Sequence, residues 1–285
     1  MKIPVWLELL RPFTLIYPFI AVFSGGVMSG IITWRLFLAS ITASLINGAS
    51  NVINQYCDID VDRINKPYRP LPSGRVSKNF AVLYGIFLYM IGLIFAWVAG
   101  FWFFLLSLIA SVLTISYSVP PVRIKARGFL GNLVLSITRG LIPVIAGWSV
   151  GKDLVYPQPW AVGIILSLFV FGANTSKDFS DIKGDKAYGI KTIPVIYGNL
   201  KAVEIMRPFL VFPFFLVPLF VWFGFLNVLT LPLIFLSVWG FFISRNLLKN
   251  PEKLSLERNH PSWIHMYLIM MIFVLYVAFT SLVIT

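Results

Sequence analysis

Asn54-Gln55-Tyr56-Cys57-Asp58-Ile59-Asp60-Val61-Asp62 closes a long apolar run of this chain, and a second stretch echoes it: Asn174-Thr175-Ser176-Lys177-Asp178-Phe179-Ser180-Asp181-Ile182-Lys183-Gly184-Asp185. The chain holds only seven Asp and four Glu, so these two windows take six of its eleven acids. Residues four apart share a helix face, which aligns Asn54, Asp58 and Asp62 and turns Asp60 away. Asp181 and Asp185 repeat that spacing; Asp178 lies three before Asp181 and four after Asn174. Carboxylates on one face repel each other, and at the end of a membrane span the cost rises. Such a set calls for a neutralising cation. Oxygen-only donors select a hard one, Mg²⁺ first, held by a few carboxylates, water and substrate phosphates. Two sets suggest ions bridging one diphosphate. The plainer reading, acids on a solvated helix cap balancing nearby lysines, leaves the matched placement of nearly every aspartate unexplained.

The surrounding sequence is that of a membrane protein. Of 285 residues 58% are hydrophobic and 12% charged, with mean hydropathy +0.86. A water-soluble core cannot absorb that much apolar surface, so an all-α polytopic membrane domain is expected over residues 1–285. Barrel-type alternation is absent. Nine spans are expected, near 12–32, 36–57, 79–98, 100–118, 129–150, 157–176, 203–224, 227–247 and 262–283, with Pro208, Pro213 and Pro218 bending the seventh. Glu8 and Arg11 interrupt any signal-peptide core in Met1–Pro18, so the first span is expected to stay in the mature protein. The lone Cys57 excludes an intrachain disulfide and a cysteine metal site, and reads best as a packing residue.

Charge is arranged by loop. Arg63, Lys66, Arg69, Arg75 and Lys78 follow the second span; Arg123, Lys125 and Arg127 the fourth; Lys177, Lys183, Lys186, Lys191 and Lys201 the sixth; Arg245, Lys249, Lys253 and Arg258 the eighth. The opposite loops hold only Arg35 and Lys152. The positive-inside rule then puts the N-terminus and both aspartate windows in the cytoplasm and the C-terminus outside. Net charge is +12; topology and anionic phosphate ligands explain it better than nucleic acid. Arg69, Arg75, Arg123, Lys125, Arg127, Lys177 and Lys191 are candidate phosphate contacts. Arg123 and Lys125 rank first because Ser116-Tyr117-Ser118-Val119-Pro120-Pro121 is a rigid turn ahead of them. Asn132 and Arg139 share a face in the fifth span. An arginine there faces either a wet cavity or a neighbouring helix carbonyl. His260 and His265 lack metal-ligand company and read as interfacial.

At these residues the sequence resembles the UbiA superfamily of intramembrane prenyltransferases. Asn54, Asp58 and Asp62 match its first motif, which runs on into a similar Asn65-Lys66-Pro67-Tyr68-Arg69-Pro70-Leu71-Pro72-Ser73-Gly74. Asp178, Asp181 and Asp185, with Lys186-Ala187-Tyr188-Gly189-Ile190-Lys191-Thr192-Ile193-Pro194, resemble its second. Tyr117 through Lys125, followed by Gly131-Asn132, is also similar. The second motif looks most like the branch of archaeal digeranylgeranylglyceryl phosphate synthases and chlorophyll synthases. Gln55 stands where an acid is common. The resemblance implies nine helices around a central cavity, with Mg²⁺ and a prenyl diphosphate at its cytoplasmic end. It implies Asn54, Asp58, Asp62, Asp178, Asp181 and Asp185 as metal ligands, with Asp58, Asp62, Asp181 and Asp185 catalytic. Arg69, Arg123, Lys125, Lys177, Tyr117 and Asn132 are then the diphosphate contacts. The acceptor expected is a glycerol phosphate lipid; an aromatic quinone precursor is the alternative. A metal-ion transporter would need its acids near the midplane on a through path, and a non-enzymatic isoprenoid-binding protein would not need two full aspartate sets.

Overall fold

The structure is a computed structural model that describes residues 3–255 and 261–284; Arg258 and His260 lie outside them. Among the described residues every regular element is helical, and the sole β-type pairing is an isolated bridge between Arg127 and Lys191. The helices, in chain order, are α1 (Val5–Leu10), α2 (Phe13–Met28), α3 (Trp34–Cys57), α4 (Ile59–Asn65), α5 (Lys78–Ala99), α6 (Phe101–Ser118), α7 (Phe129–Trp148) and α8 (Pro157–Ala173). They continue as α9 (Ile182–Ala187), α10 (Ile193–Trp222), α11 (Val228–Lys249) and α12 (Ser262–Ile284). Eight stretches are long and apolar enough to cross a membrane. Their outer surfaces carry exposed Leu83, Ile94, Trp97, Phe212 and Phe235, as the lipid-facing surface of an integral membrane protein does.

The segment expected as the first span forms only the 16-residue α2, shorter than the ~20 residues that cross a bilayer. It packs against α3, α7 and α12. Close approach to α7 depends on glycine. A Cβ on Gly25 would lie 2.3 Å from Val144 O, and one on Gly147 would lie 2.0 Å from Val22 O. Small residues at such crossings let backbones meet where lipid gives no hydrophobic drive.

Proline shapes the remaining irregularities. Pro12 disfavours an α conformation in the residue before it. Arg11 accordingly leaves α1 in a left-handed conformation, φ 54°. α10 is longer than the expected 203–224 span: it starts at Ile193, kinks at Gly198 and tightens to a 3₁₀ turn at Phe212–Phe215 around Pro213. In α7 the turn Ile137–Leu141 is π-helical, a local widening often found at functional sites.

Candidate active site

α3 is registered against the α1–α2 break by buried amides. Asn51 Nδ2 donates to Leu10 O at 2.9 Å and to Thr14 Oγ1 at 2.9 Å; Gln55 Nε2 donates to Leu9 O at 2.7 Å. The residue standing where an acid is common therefore anchors a carbonyl of α1. α3 breaks at Asp58, yet Asp58 N still donates to Asn54 O at 3.0 Å and Asp62 N to Asp58 O at 2.7 Å. The shared face survives the break. Asp60 falls off it, with 58% of its side chain exposed, and pairs with Arg63 at 2.7 Å.

The second window is less regular. An α turn Thr175–Asp178 and a 3₁₀ turn Phe179–Asp181 lead into α9. Asn65 at the end of α4 clamps it: Nδ2 donates to Asp181 O at 2.8 Å, and Oδ1 accepts from Gly184 N at 2.7 Å. A Cβ on Gly184 would stand 2.6 Å from Asn65 Nδ2 and 2.7 Å from Val61 O. Glycine at this position thus sets how closely α4 and α9 pack.

Both windows open on one cavity of about 410 Å³, lined among others by Asn54, Asp58, Asp62, Asp178, Asp181 and Asp185. Asp58, Asp62, Asp178 and Asp185 are 7% exposed or less. Four of the five carboxylates are held by cations. Arg69 Nη1 reaches both oxygens of Asp62, at 2.9 and 2.7 Å. Asp58 accepts from Arg123 at 3.0 Å, from Asn54 at 3.0 Å and from Lys125. Lys177 bonds Asp178 at 2.6 Å and the Tyr117 hydroxyl at 3.0 Å. Lys66 pairs with Asp181. Burial pushes the Lys66 ammonium down from its usual range, against the opposing pull of Asp181. Asp185 has no ion pair among the described residues.

The sequence brings most of its expected site residues together here. Asn132 is an exception: it is buried, donates to Phe171 O at 2.9 Å and Thr175 Oγ1 at 2.8 Å, and so ties α7 to α8. Arg75 is exposed and pairs with Glu8 at 2.7 Å. Lys66, Asn65 and Arg11 were not singled out by spacing. The Asn65-Lys66 dipeptide sits directly after the first motif, which is the signal that marks them.

A second, apolar cavity of about 100 Å³ adjoins the first and shares with it Thr14, Arg139, Ser176, Lys177, Trp263 and Tyr267. Trp263, Tyr267 and Phe13 cluster at this boundary, with ring centroids 4.8 to 5.4 Å apart. His265 sits outside, accepting from Trp239 Nε1 at 3.3 Å.

The donor set is oxygen-only, which suits a hard divalent cation. Among the described residues no three acidic, histidine or cysteine groups converge as a preformed cage. Asp185 is free to ligate, and each lysine or arginine that now holds an aspartate is equally suited to a phosphate oxygen.

A helical membrane bundle with facing aspartate segments, basic partners and an apolar annexe is the architecture of an intramembrane prenyltransferase. The chain belongs to the UbiA prenyltransferase family, whose profile matches residues 13–269, and it is an enzyme of that class. A digeranylgeranylglyceryl phosphate synthase from Methanosphaera stadtmanae is 30% identical over 89% of this chain and 91% of that protein. The bacteriochlorophyll synthase 33 kDa chain of Rhodobacter capsulatus is 32% identical over 70% and 68%. A solved structure concerned with digeranylgeranylglyceryl phosphate synthase in membranes superposes with TM-score 0.71, 26% identity and 97% of both chains. A UbiA homologue from Archaeoglobus fulgidus, bound to DMAPP and Mg²⁺, shares the fold at TM-score 0.75, with 21% identity over 99% of this chain and all of that one.

Proposed function

We propose that this prenyltransferase moves a prenyl group from a polyprenyl diphosphate to the hydroxyl of a glycerol phosphate lipid. It does so in a single nine-span membrane domain with N-terminus and site cytoplasmic and C-terminus outside, α2 joining the eight long apolar stretches as the ninth span. The observation that carries this reading is the polar cavity, where both aspartate windows and their basic partners meet, adjoining an apolar one. Mg²⁺ and a prenyl diphosphate in a structural neighbour, and the names of the relatives, support it.

Asn54, Asp58, Asp62, Asp178, Asp181 and Asp185 would hold Mg²⁺, which when bound draws off negative charge as the diphosphate departs. Arg69, Arg123, Lys125, Lys177 and Lys66 turn from aspartate to phosphate oxygens and stabilise the same charge. Tyr117 orients Lys177 through its hydroxyl. Asn132 acts as a helix tie. The apolar cavity accepts the tail and keeps water from the allylic cation, and the Phe13, Trp263 and Tyr267 rings wall its mouth. The test is purified protein with Mg²⁺, prenyl diphosphates of several lengths and an acceptor panel, with products identified by mass. A prenylated glycerol phosphate lipid is the expected product; product from an aromatic acid alone would replace the acceptor assignment.

A further inference from the structure

Six basic side chains line the polar cavity: Arg11, Lys66, Arg69, Lys125, Arg139 and Lys177. Four hold an aspartate. Arg11 and Arg139 hold none among the described residues, although charged groups buried in a membrane protein ordinarily pair. Arg11 Nη2 is buried without a hydrogen-bond partner. Arg139 sits inside α7, on the π-helical turn, at the wall the two cavities share. Asn174 lines the apolar cavity with it, and its Nδ2 is likewise buried and unpartnered.

We propose that Arg11 and Arg139, with Asn174 beside them, seat the phosphate of the acceptor, apart from the groups that hold the donor's diphosphate. This rests on the prenyl-transfer reading above. The donor is charged at one end and apolar along its length, so the bond that breaks lies where the polar cavity meets the apolar one. Arg139 stands at that boundary. A phosphate held there puts the acceptor hydroxyl one glycerol unit away, within reach of the allylic carbon. The hydroxyl oxygen bonds to that carbon as the carbon–oxygen bond to diphosphate breaks, and the hydroxyl proton passes to the released diphosphate. Electrostatics add an ordering. Burial first, then Arg69, pushes the Arg11 guanidinium down to about 9, with Arg139 pushing the same way against Asp62 and Asp181. Arg11 therefore stays charged at neutral pH. Two uncompensated guanidiniums oppose an allylic cation; a bound phosphate removes that opposition, so ionisation waits for the acceptor.

Arg11→Gln and Arg139→Gln test this, with geranylgeranyl diphosphate as donor and two acceptors, a monoprenylated glycerol phosphate and its dephosphorylated alcohol. The wild type should prefer the phosphorylated acceptor. Each variant should raise its KM on the order of tenfold or more, leave the KM for the donor nearly unchanged, and raise the turnover of the alcohol, since the charge that opposes ionisation is gone. Arg139→Lys should recover part of the loss, and matched melting curves check that the variants fold. A donor KM that rises as much as the acceptor KM, an equal loss with the alcohol, or no change with either acceptor would overturn the proposal while leaving prenyl transfer intact. Wild-type turnover of an aromatic acid but not of the glycerol phosphate would overturn both.

Discussion

Four of the five carboxylates in the cavity have distinct cationic partners and Asp185 has none among the described residues, and this divides their expected effects. Asp62→Asn and Asp185→Asn should each lower kcat on the order of a hundredfold or more and shift the Mg²⁺ dependence to higher concentration. Asp60→Asn should leave both nearly unchanged, because that side chain faces outward onto Arg63. Steady-state diphosphate release over a Mg²⁺ series reads both. The four-residue spacing made most of this legible: Asn54, Asp58, Asp62 and the second set share a cavity as their registers imply. Gln55, Asn132 and Arg11 were not legible. Gln55 and Asn132 bond carbonyls on other helices, and Arg11 is placed by a left-handed turn. No local pattern encodes a partner dozens of residues away.

At the scale of elements, the site depends on the pairing of α4 with α9. Asn65 is its clamp and Gly184 its spacer. Gly184→Val would drive a side chain into Val61 O, so overpacking of about 1–3 kcal/mol is expected. Activity should fall further than that stability loss implies, since small misplacement of the second window separates it from the first. Thermal melting beside kcat measures the two effects. Asn65→Ala should lower activity in the same way with a smaller change in melting. The helices themselves were visible as apolar runs, and the tightened turn at Phe212–Phe215 as the prolines of the seventh expected span. The early start of α10, at Ile193, was hidden because Gly198 and the lysines around it read as loop.

Across the molecule, the charge of the loops predicts one orientation. In a Cys57→Ser background, a cysteine at Lys183 should react with a membrane-impermeant maleimide only from the cytoplasmic side, and one at Lys152 only from outside. Labelling of Lys183 from outside would invert the topology. Charge bias and length were enough to anticipate a polytopic bundle; the shortness of α2 was not, because Ser29-Gly30-Ile31-Ile32 extends its apolar run beyond the point where the helix ends. What the fold accomplishes is to bring two acidic segments, 120 residues apart from Asp58 to Asp178, onto one cavity. Calorimetric titration of geranylgeranyl diphosphate into the purified protein, with and without Mg²⁺, tests that directly. Binding should require Mg²⁺ in the wild type and be lost in Asp62→Asn and in Asp185→Asn separately, one variant from each segment. Mg²⁺-dependent binding of wild-type strength in either variant would contradict a shared site.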